Sequence, residues 1–508
     1  MRSIRFPRDP SRAIAAIGIV TFLLLASTAA ADLPAPPAPP APPSVSANLI
    51  VGFQTPGVNL TLIAAMGGVV TKSGDSIGVA AVYAANVTAF MAAAMANSSL
   101  IAFVEPNGPT GLDSSGWDSS GWDSSGWDSS GWDSSGWDSS GWDSSGWDSS
   151  GWDSSGWDSS GWDSSGWDSS GWDSSGWDSS GWDSSGWDSS GWDATTGNHS
   201  IFDAAWVSAT GTPLLNKGVD PLLHRQWGLR AVNASPATLR VGSGAPICVV
   251  DSGVDFTHPD LAGAIWTAAD GSHGYNFVAM TNNTMDDAGH GTHVAGIAAA
   301  IAGNGKGIAG LSREKIMAVK VLAANGTGTE DNLALGIAWC ADHGAKVISM
   351  SLGTPLDSKA VHRAVSYAFN KGIPLVASVG NSGPCSGGCT RYPASYPEVV
   401  GVTALAPNGQ PLSSDATGKI VSIAAPGWGI VSTWAGGSYR AMNGTSMAVP
   451  FVSATLAQVL DLKPSLGAAG ADNLVVHAAR DLGPAGRDPY VGFGVVDQGA
   501  ALRAAATP

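Results

Sequence analysis

The chain is predicted to carry a doubly wound, largely parallel α/β domain over residues 205–508, with helices on both faces of its sheet. Three observations predict it. Near-continuous apolar runs such as APICVVD, KIMAVKVLAA, AKVISMSL and IPLVASVGN read as strands buried on both faces. Helical patterns, LALGIAWCADHG and AVHRAVSYAFNKG among them, alternate with those strands. Gly-rich turns divide the two, and about 300 residues suffice for one large core.

The elements ahead of that domain follow in order. Residues 1–31 have the form of an export signal: Arg2, Arg5, Arg8 and Arg12 precede an apolar stretch, and Ala29-Ala30-Ala31 offers a small-residue cleavage site. A membrane anchor is the alternative, because the uncharged stretch is nearly long enough to span. The run of small residues and the proline-rich segment behind it favour cleavage. A secreted, extracellular product with no stable membrane span is therefore expected. Residues 32–47 form a Pro-rich linker (LPAPPAPPAPP) of extended, polyproline type. Residues 48–108 are compact and apolar, with the pattern β-α-β-β-α-β of a small α+β, ferredoxin-like unit.

Sixteen copies of DSSGW occupy residues 113–192 and distort every whole-chain statistic. With Asp193 the tract (113–193) holds 17 of the 41 acidic residues, leaving 24 against all 24 Lys and Arg. The net charge of −17 thus belongs to the repeat and says nothing about the rest of the surface. No nucleic-acid partner is expected. A period of five spreads Trp around all faces of a helix and flips it from face to face of a strand. Asp-Ser-Ser-Gly suits a type I turn, so a disordered or turn-rich spacer is expected. A tract that binds sugars or surfaces through its Trp faces is the competing reading.

Four cysteines fit an oxidising compartment. Cys385 and Cys389, close together in GPCSGGCTRYP, are expected to form a local bridge, with half a metal site as the alternative. Cys248, in an apolar run, and Cys340, in a helical pattern, read as buried core thiols.

Chemistry concentrates at the carboxyl ends of the predicted strands, where open α/β sheets bind their ligands. Asp251 ends APICVVD, His290 opens HGTHVAGIAAA, and Ser446 lies in NGTSMAVPFV, where a turn runs into a helix. A serine hydroxyl becomes a useful nucleophile when an imidazole takes its proton and a carboxylate fixes that imidazole's tautomer. The Ser446 N–H at a helix start and the Asn381 side-chain amide, ending IPLVASVGN, are candidate oxyanion donors. His290 and His293, three apart, also admit a zinc reading, but the glutamate of a zinc protease motif and an evident third ligand are missing.

On the segments VVDSGVDFTHPDL, HGTHVAGIAAA, VISMSLG, LVASVGNSGP, RYPASYPEVVGVTA and GTSMAVPFV, residues 226–502 resemble a subtilisin-family (subtilase) serine protease. The resemblance implies a subtilisin-like fold and an endopeptidase acting through an acyl-enzyme on protein or peptide substrates. It assigns Asp251 to orienting His290, His290 to general base and acid, Ser446 to nucleophile and Asn381 to oxyanion donor. It implies a cleft between Gly326-Thr327-Gly328 and Ser351-Leu352-Gly353, which would sandwich an extended peptide. The 48–108 unit is similar to the family's inhibitory propeptide, with FVEPNG expected to enter the cleft of an autoprocessed zymogen. No cofactor is required for catalysis. A structural calcium ion is admitted at Asp260, near a loop holding Asn304 and an opposing Lys306; Asp260 as a turn residue is the alternative. Asp286 and Asp287 are expected to line a rim or cap a turn. Arg391 falls near the end of the primary pocket, where it would favour acidic or polar side chains unless it faces solvent. Met447 is an oxidation liability wherever peroxide reaches it. A monomer is expected. The alternative function is a secreted binding or adhesion protein whose protease domain is silent and whose Trp tract binds.

Overall fold

The computed structural model describes residues 4–5, 47–112, 220–383 and 391–507. The DSSGW tract, Cys385 and Cys389, and all but the edges of the export signal and linker lie outside the described residues. The chain divides into two compact units: Met1–Gly108 with Ser358–Arg363, and Pro109–Asp357 with Ala364–Pro508.

The first unit contains β1 (Ile4–Arg5), β2 (Ala47–Phe53), α1 (Leu60–Ala65), β3 (Gly68–Gly74), β4 (Val79–Ala84), α2 (Val87–Ala96) and β5 (Ile101–Pro106). Its sheet runs β1-β5-β2-β4-β3 with every pairing antiparallel. Asn59 and Asn86 start the two helices by accepting the N–H groups of Leu62 and Ala89, at 2.9 and 3.0 Å. Leu49, Val51 and Phe53 alternate onto the buried side of β2 and meet Ile63, Phe90 and Val104 in one core. The β-α-β-β-α-β order read from the sequence is present from Ala47 to Pro106.

In the second unit seven parallel strands form a sheet: β7 (Pro246–Asp251), β8 (Gly274–Asn276), β9 (Lys315–Lys320), β11 (Val347–Met350), β13 (Leu375–Ser378), β14 (Val399–Leu405) and β15 (Ile423–Pro426). Their order is β15-β14-β13-β11-β7-β9-β8. Strand order reverses at β7, so the crevice beyond its carboxyl end opens at Asp251. Helices α3 (Trp227–Ala231), α4 (His290–Ala299), α5 (Glu330–Asp342), α6 (Lys359–Asn370), α7 (Thr445–Leu462), α8 (Gly467–His477) and α9 (Gln498–Ala506) accompany it. A short hairpin, β16 (Ile430–Trp434) with β17 (Ser438–Met442), precedes α7. Among the described residues α7 alone is long and apolar enough to cross a membrane, and 89% of it is buried inside the fold. It is the core helix of this unit.

One reading is overturned here. Cys248 and Cys340 are joined in a disulfide, their Cα atoms 6.0 Å apart. They are 92 residues apart in sequence. The apolar setting of each was correctly read, but α5 packs on β7 and brings the two buried sulfurs together.

A buried carboxyl is expected to make the stability of this unit depend on pH. Asp415 accepts from Thr403 Oγ1 at 2.9 Å and from the Ala404 N–H at 2.8 Å, yet burial pushes it up to about 7. Its folded value lies above the unfolded value, so its stabilising contribution is complete below the unfolded value and is lost as pH rises toward 7. Thermal scans from pH 4 to 8 are expected to show a fall in Tm that is shallower in Asp415→Asn. Parallel curves would show that Asp415 stays ionised in the native state.

Candidate active site

Asp251 is the last residue of β7, and its carboxylate is buried. Its Oδ1 accepts the Ser252 N–H at 2.6 Å. His290 is the first residue of α4, and its Nδ1 lies 2.9 and 3.0 Å from the two Asp251 oxygens. That contact requires an Nδ1–H donor, which fixes the neutral ring as the tautomer with its lone pair on Nε2.

The start of α4 is held by Asp286, which thus caps a turn as expected. Its Oδ1 accepts from Ser252 Oγ and the Gly289 N–H, and its Oδ2 from the Thr292 N–H and hydroxyl. Ser252 Oγ in turn accepts the Gly291 N–H at 3.0 Å. Glycine is required at 291 because a Cβ there would stand 2.1 Å from the Gly253 carbonyl oxygen and 3.1 Å from Asp251. Asp287 faces out and pairs at 2.6 Å with Lys320, whose ammonium also donates to the Ser252 and Leu322 carbonyls.

His293 is not a partner of His290 in a metal site. Its buried Nε2 contacts the Ile430 and Arg440 carbonyls at 2.9 and 3.1 Å, so it carries the proton there. Burial, followed by the charge of His290, lowers it to about 3. Among the described residues no three His, Cys, Asp or Glu side chains cluster as metal ligands.

Ser446 lies in the first turn of α7 and is fully buried. Pro450, four residues on, has no N–H to give the Ser446 carbonyl, which instead accepts Ser351 Oγ at 2.8 Å. Ser446 Oγ donates back to the Ser351 carbonyl at 3.2 Å. The proline of GTSMAVP thereby ties the serine turn to the edge of the cleft. Asn381 Oδ1 accepts the N–H and hydroxyl of Thr445, each at 3.1 Å, which orients its carboxamide beside the same turn. Met447 is fully buried.

The two cleft segments flank a third strand. β6 (Pro109–Leu112) lies between β10 (Thr327–Thr329) and β12 (Leu352–Gly353), antiparallel to both. The register pairs Gly111 with Thr327 and Gly353, Thr110 with Gly328, and Leu112 with Leu352. The Leu112 N–H donates to the Gly326 carbonyl at 3.2 Å. The expectation for FVEPNG is corrected: FVEP is the end of β5 in the first unit's sheet, and PTGL, three residues further on, occupies the cleft. The expectation rested on the resemblance to the family's propeptide; in the structure FVEP is taken up by pairing with β2, and the segment after it is free to run between the two edges.

Asp260 is buried and held by protein donors: Asn304 Nδ2 at 2.7 Å, the Ile308 N–H at 2.9 Å and Tyr439 Oη at 3.2 Å. Sequence reasoning missed its companion Asp220, which accepts the Gly303 and Gly305 N–H groups of the same loop. Burial raises both carboxyls, and each Asp220 ionisation is further opposed by Asp260. Both aspartates accept from the 303–308 loop, and Asn304 turns its amide N–H to Asp260 while its Oδ1 accepts the Lys306 N–H, so the donors around Asp260 are those of the protein. Lys306 donates its ammonium to the Pro259 carbonyl at 3.4 Å.

Comparison with known proteins decides the family. The chain is 42% identical over 231 residues to thermitase of Thermoactinomyces vulgaris, covering 45% of this chain and 80% of that protein. The chain belongs to the subtilase family. The subtilase family model matches residues 242–494 of it. It is also 37% identical to subtilisin Savinase of Lederbergia lenta, over 54% of this chain and 98% of the relative. The thermophilic serine proteinase of Bacillus sp. (strain AK1) is 42% identical, over 47% of this chain and 55% of that protein. A solved structure titled sphericase shares 33% identity over 53% of this chain and 97% of its own, with a TM-score of 0.49. This subtilase is accordingly a serine endopeptidase of the subtilisin type, a hydrolase, and the doubly wound sheet is the one expected.

Proposed function

We propose that this subtilase is a secreted enzyme, made as a zymogen, that hydrolyses peptide bonds through an acyl-enzyme on Ser446. The observation that carries the proposal is the buried Asp251–His290 contact at 2.9 Å at the carboxyl end of β7, with α4, which His290 opens, packed against α7, which carries Ser446. His290 Nε2 takes the Ser446 proton as Oγ attacks the carbonyl carbon, and Asp251 holds the ring and stabilises its cation. The Asn381 amide and the N–H at the start of α7 stabilise the oxyanion. His290 then protonates the leaving amine, and water repeats the sequence on the ester.

The 48–108 unit is read as an inhibitory propeptide, because the segment directly after it fills the cleft strand for strand. A calcium ion would be held by Asp220 and Asp260 with the loop between Gly303 and Ile308, and its contribution would be structural. Catalysis needs no cofactor, and a monomer acting on extended segments is proposed. A silent domain is disfavoured because the Asp-His-Ser set is intact.

Casein hydrolysis by the secreted wild type, with labelling of Ser446 by a phosphonate, tests the reading. A folded, processed chain that neither clears casein nor takes the label overturns it. Asn381→Ala is expected to lower kcat by about 10²- to 10³-fold with little change in KM. Equal falls in binding and turnover would place Asn381 outside the oxyanion site. Chelation with EDTA is expected to lower Tm by several degrees in wild type and leave Asp260→Asn unmoved. An unchanged wild-type Tm removes the cation.

A further inference from the structure

Resting on the protease reading above, we propose that this subtilase cleaves after aspartate in Ser/Thr-Gly-Leu/Trp-Asp sequences, and that the DSSGW tract is a tandem array of its own substrate. The starting point is the register of the strand in the cleft. Leu112 faces Leu352 and Gly111 faces Gly353. In an antiparallel pair one strand advances as the other retreats, so the subsite beside Ser351 takes the residue that follows Leu112. Ser351 is the residue bonded twice to Ser446, at 2.8 and 3.2 Å. A peptide held in this register would present to Ser446 the carbonyl of the residue that follows Leu112's place, and in the sequence the residue after Leu112 is Asp113.

The cleft strand and the residue after it in sequence thus read Thr-Gly-Leu-Asp. Across each repeat boundary the tract reads Ser-Gly-Trp-Asp, sixteen times, the last ending at Asp193. The differences are ones this cleft tolerates. Thr110 is only 4% exposed, and serine is a smaller hydroxyl for the same place. Gly111 is retained. Leu112 is half-buried, and Gly326 beside it has no side chain: a Cβ there would stand 2.8 Å from Leu112 Cδ1. A tryptophan can therefore lie over Gly326 and extend into solvent. A period of five returns the same four residues to the same register at every step.

The aspartate has a cationic residue at its end of the cleft. The Arg391 side chain crosses Gly380, where a Cβ would stand 3.1 Å from its Cδ and 3.3 Å from its Nε. Gly380 adjoins Asn381, whose oxygen holds Thr445, the neighbour of Ser446. A guanidinium on that wall favours a carboxylate over an apolar side chain. In the reaction, the Ser446 Oγ–acyl bond to aspartate forms as the bond to the following residue's nitrogen breaks. That nitrogen takes the proton carried by His290, and water releases the aspartyl product. Cleavage of the first site leaves a chain beginning at Ser114; cleavage at later sites shortens it in steps of one repeat, to Ala194 at the limit.

The test incubates the purified full chain, and its Ser446→Ala form as control, with Ac-Ser-Ser-Gly-Trp-Asp-Ser-Ser-Gly-Trp-Asp-Ser-NH2 and with casein, reading products by mass. Cleavage after aspartate, at least about 10-fold faster than in the Asp-to-Asn peptide, is expected, and Arg391→Met should shrink that ratio. Edman sequencing of the secreted enzyme should return Ser-Ser-Gly-Trp or, after full trimming, Ala-Thr-Thr. Cleavage after tryptophan, or an intact peptide in a reaction that digests casein, overturns the inference and spares the protease reading. Failure on both substrates overturns both.

Discussion

Replacing Ser446 with alanine is expected to lower kcat on a peptide substrate by about 10⁶-fold, the loss established for a subtilisin-type triad. Its effect on stability should be small. The Ser351 Oγ bond to the 446 carbonyl is to backbone and survives the substitution. The 3.2 Å bond from Ser446 Oγ to the Ser351 carbonyl is lost, worth about 1 kcal/mol. The variant should therefore accumulate as a folded, uncut chain, visible as a single band with the full repeat tract attached. Activity within 100-fold of wild type would mean that another nucleophile acts. Processing of the variant by itself at a wild-type rate would dissociate maturation from this serine.

The double variant Cys248→Ala/Cys340→Ala is expected to lose about 4–5 kcal/mol of unfolding free energy, because the bridge closes a loop of 92 residues. In a domain of this size that corresponds to roughly 10 °C in Tm. Both sulfurs are buried, so the small cavities left behind add to the loss. Urea denaturation of the variant beside wild type measures it, with casein hydrolysis at 25 °C expected to persist. A change under about 1 kcal/mol would mean that the wild type carries two thiols. Reduction of wild type should reproduce the variant's midpoint only once unfolding exposes the bridge.

The sheet and its active serine turn were legible because each is written locally. Strands buried on both faces leave unbroken apolar runs, and HGTH, VGN and GTSMAVP each sit at a strand end or helix start. What escaped were relations that depend on register and packing. Nothing near Cys248 announces Cys340, since only the stacking of α5 on β7 brings them together. Asp220 stands in VDPLL, with no neighbour in sequence to reveal the loop it shares with Asp260. FVEPNG was expected in the cleft from the propeptide resemblance, which does not fix the register; the strand between the two edges is PTGL, three residues on. The proline in GTSMAVP was read as part of a signature; its work, releasing the Ser446 carbonyl to Ser351, shows only in three dimensions.

The position of β6 as the middle strand of three has a consequence for which proteins are at risk. A visitor must offer both backbone edges at once over several residues. A helix has none to offer, and a strand inside a native sheet has already spent one or both. On the proposed reading of this cleft, unravelled chains, frayed ends and long loops offer both edges, and helices and paired strands do not.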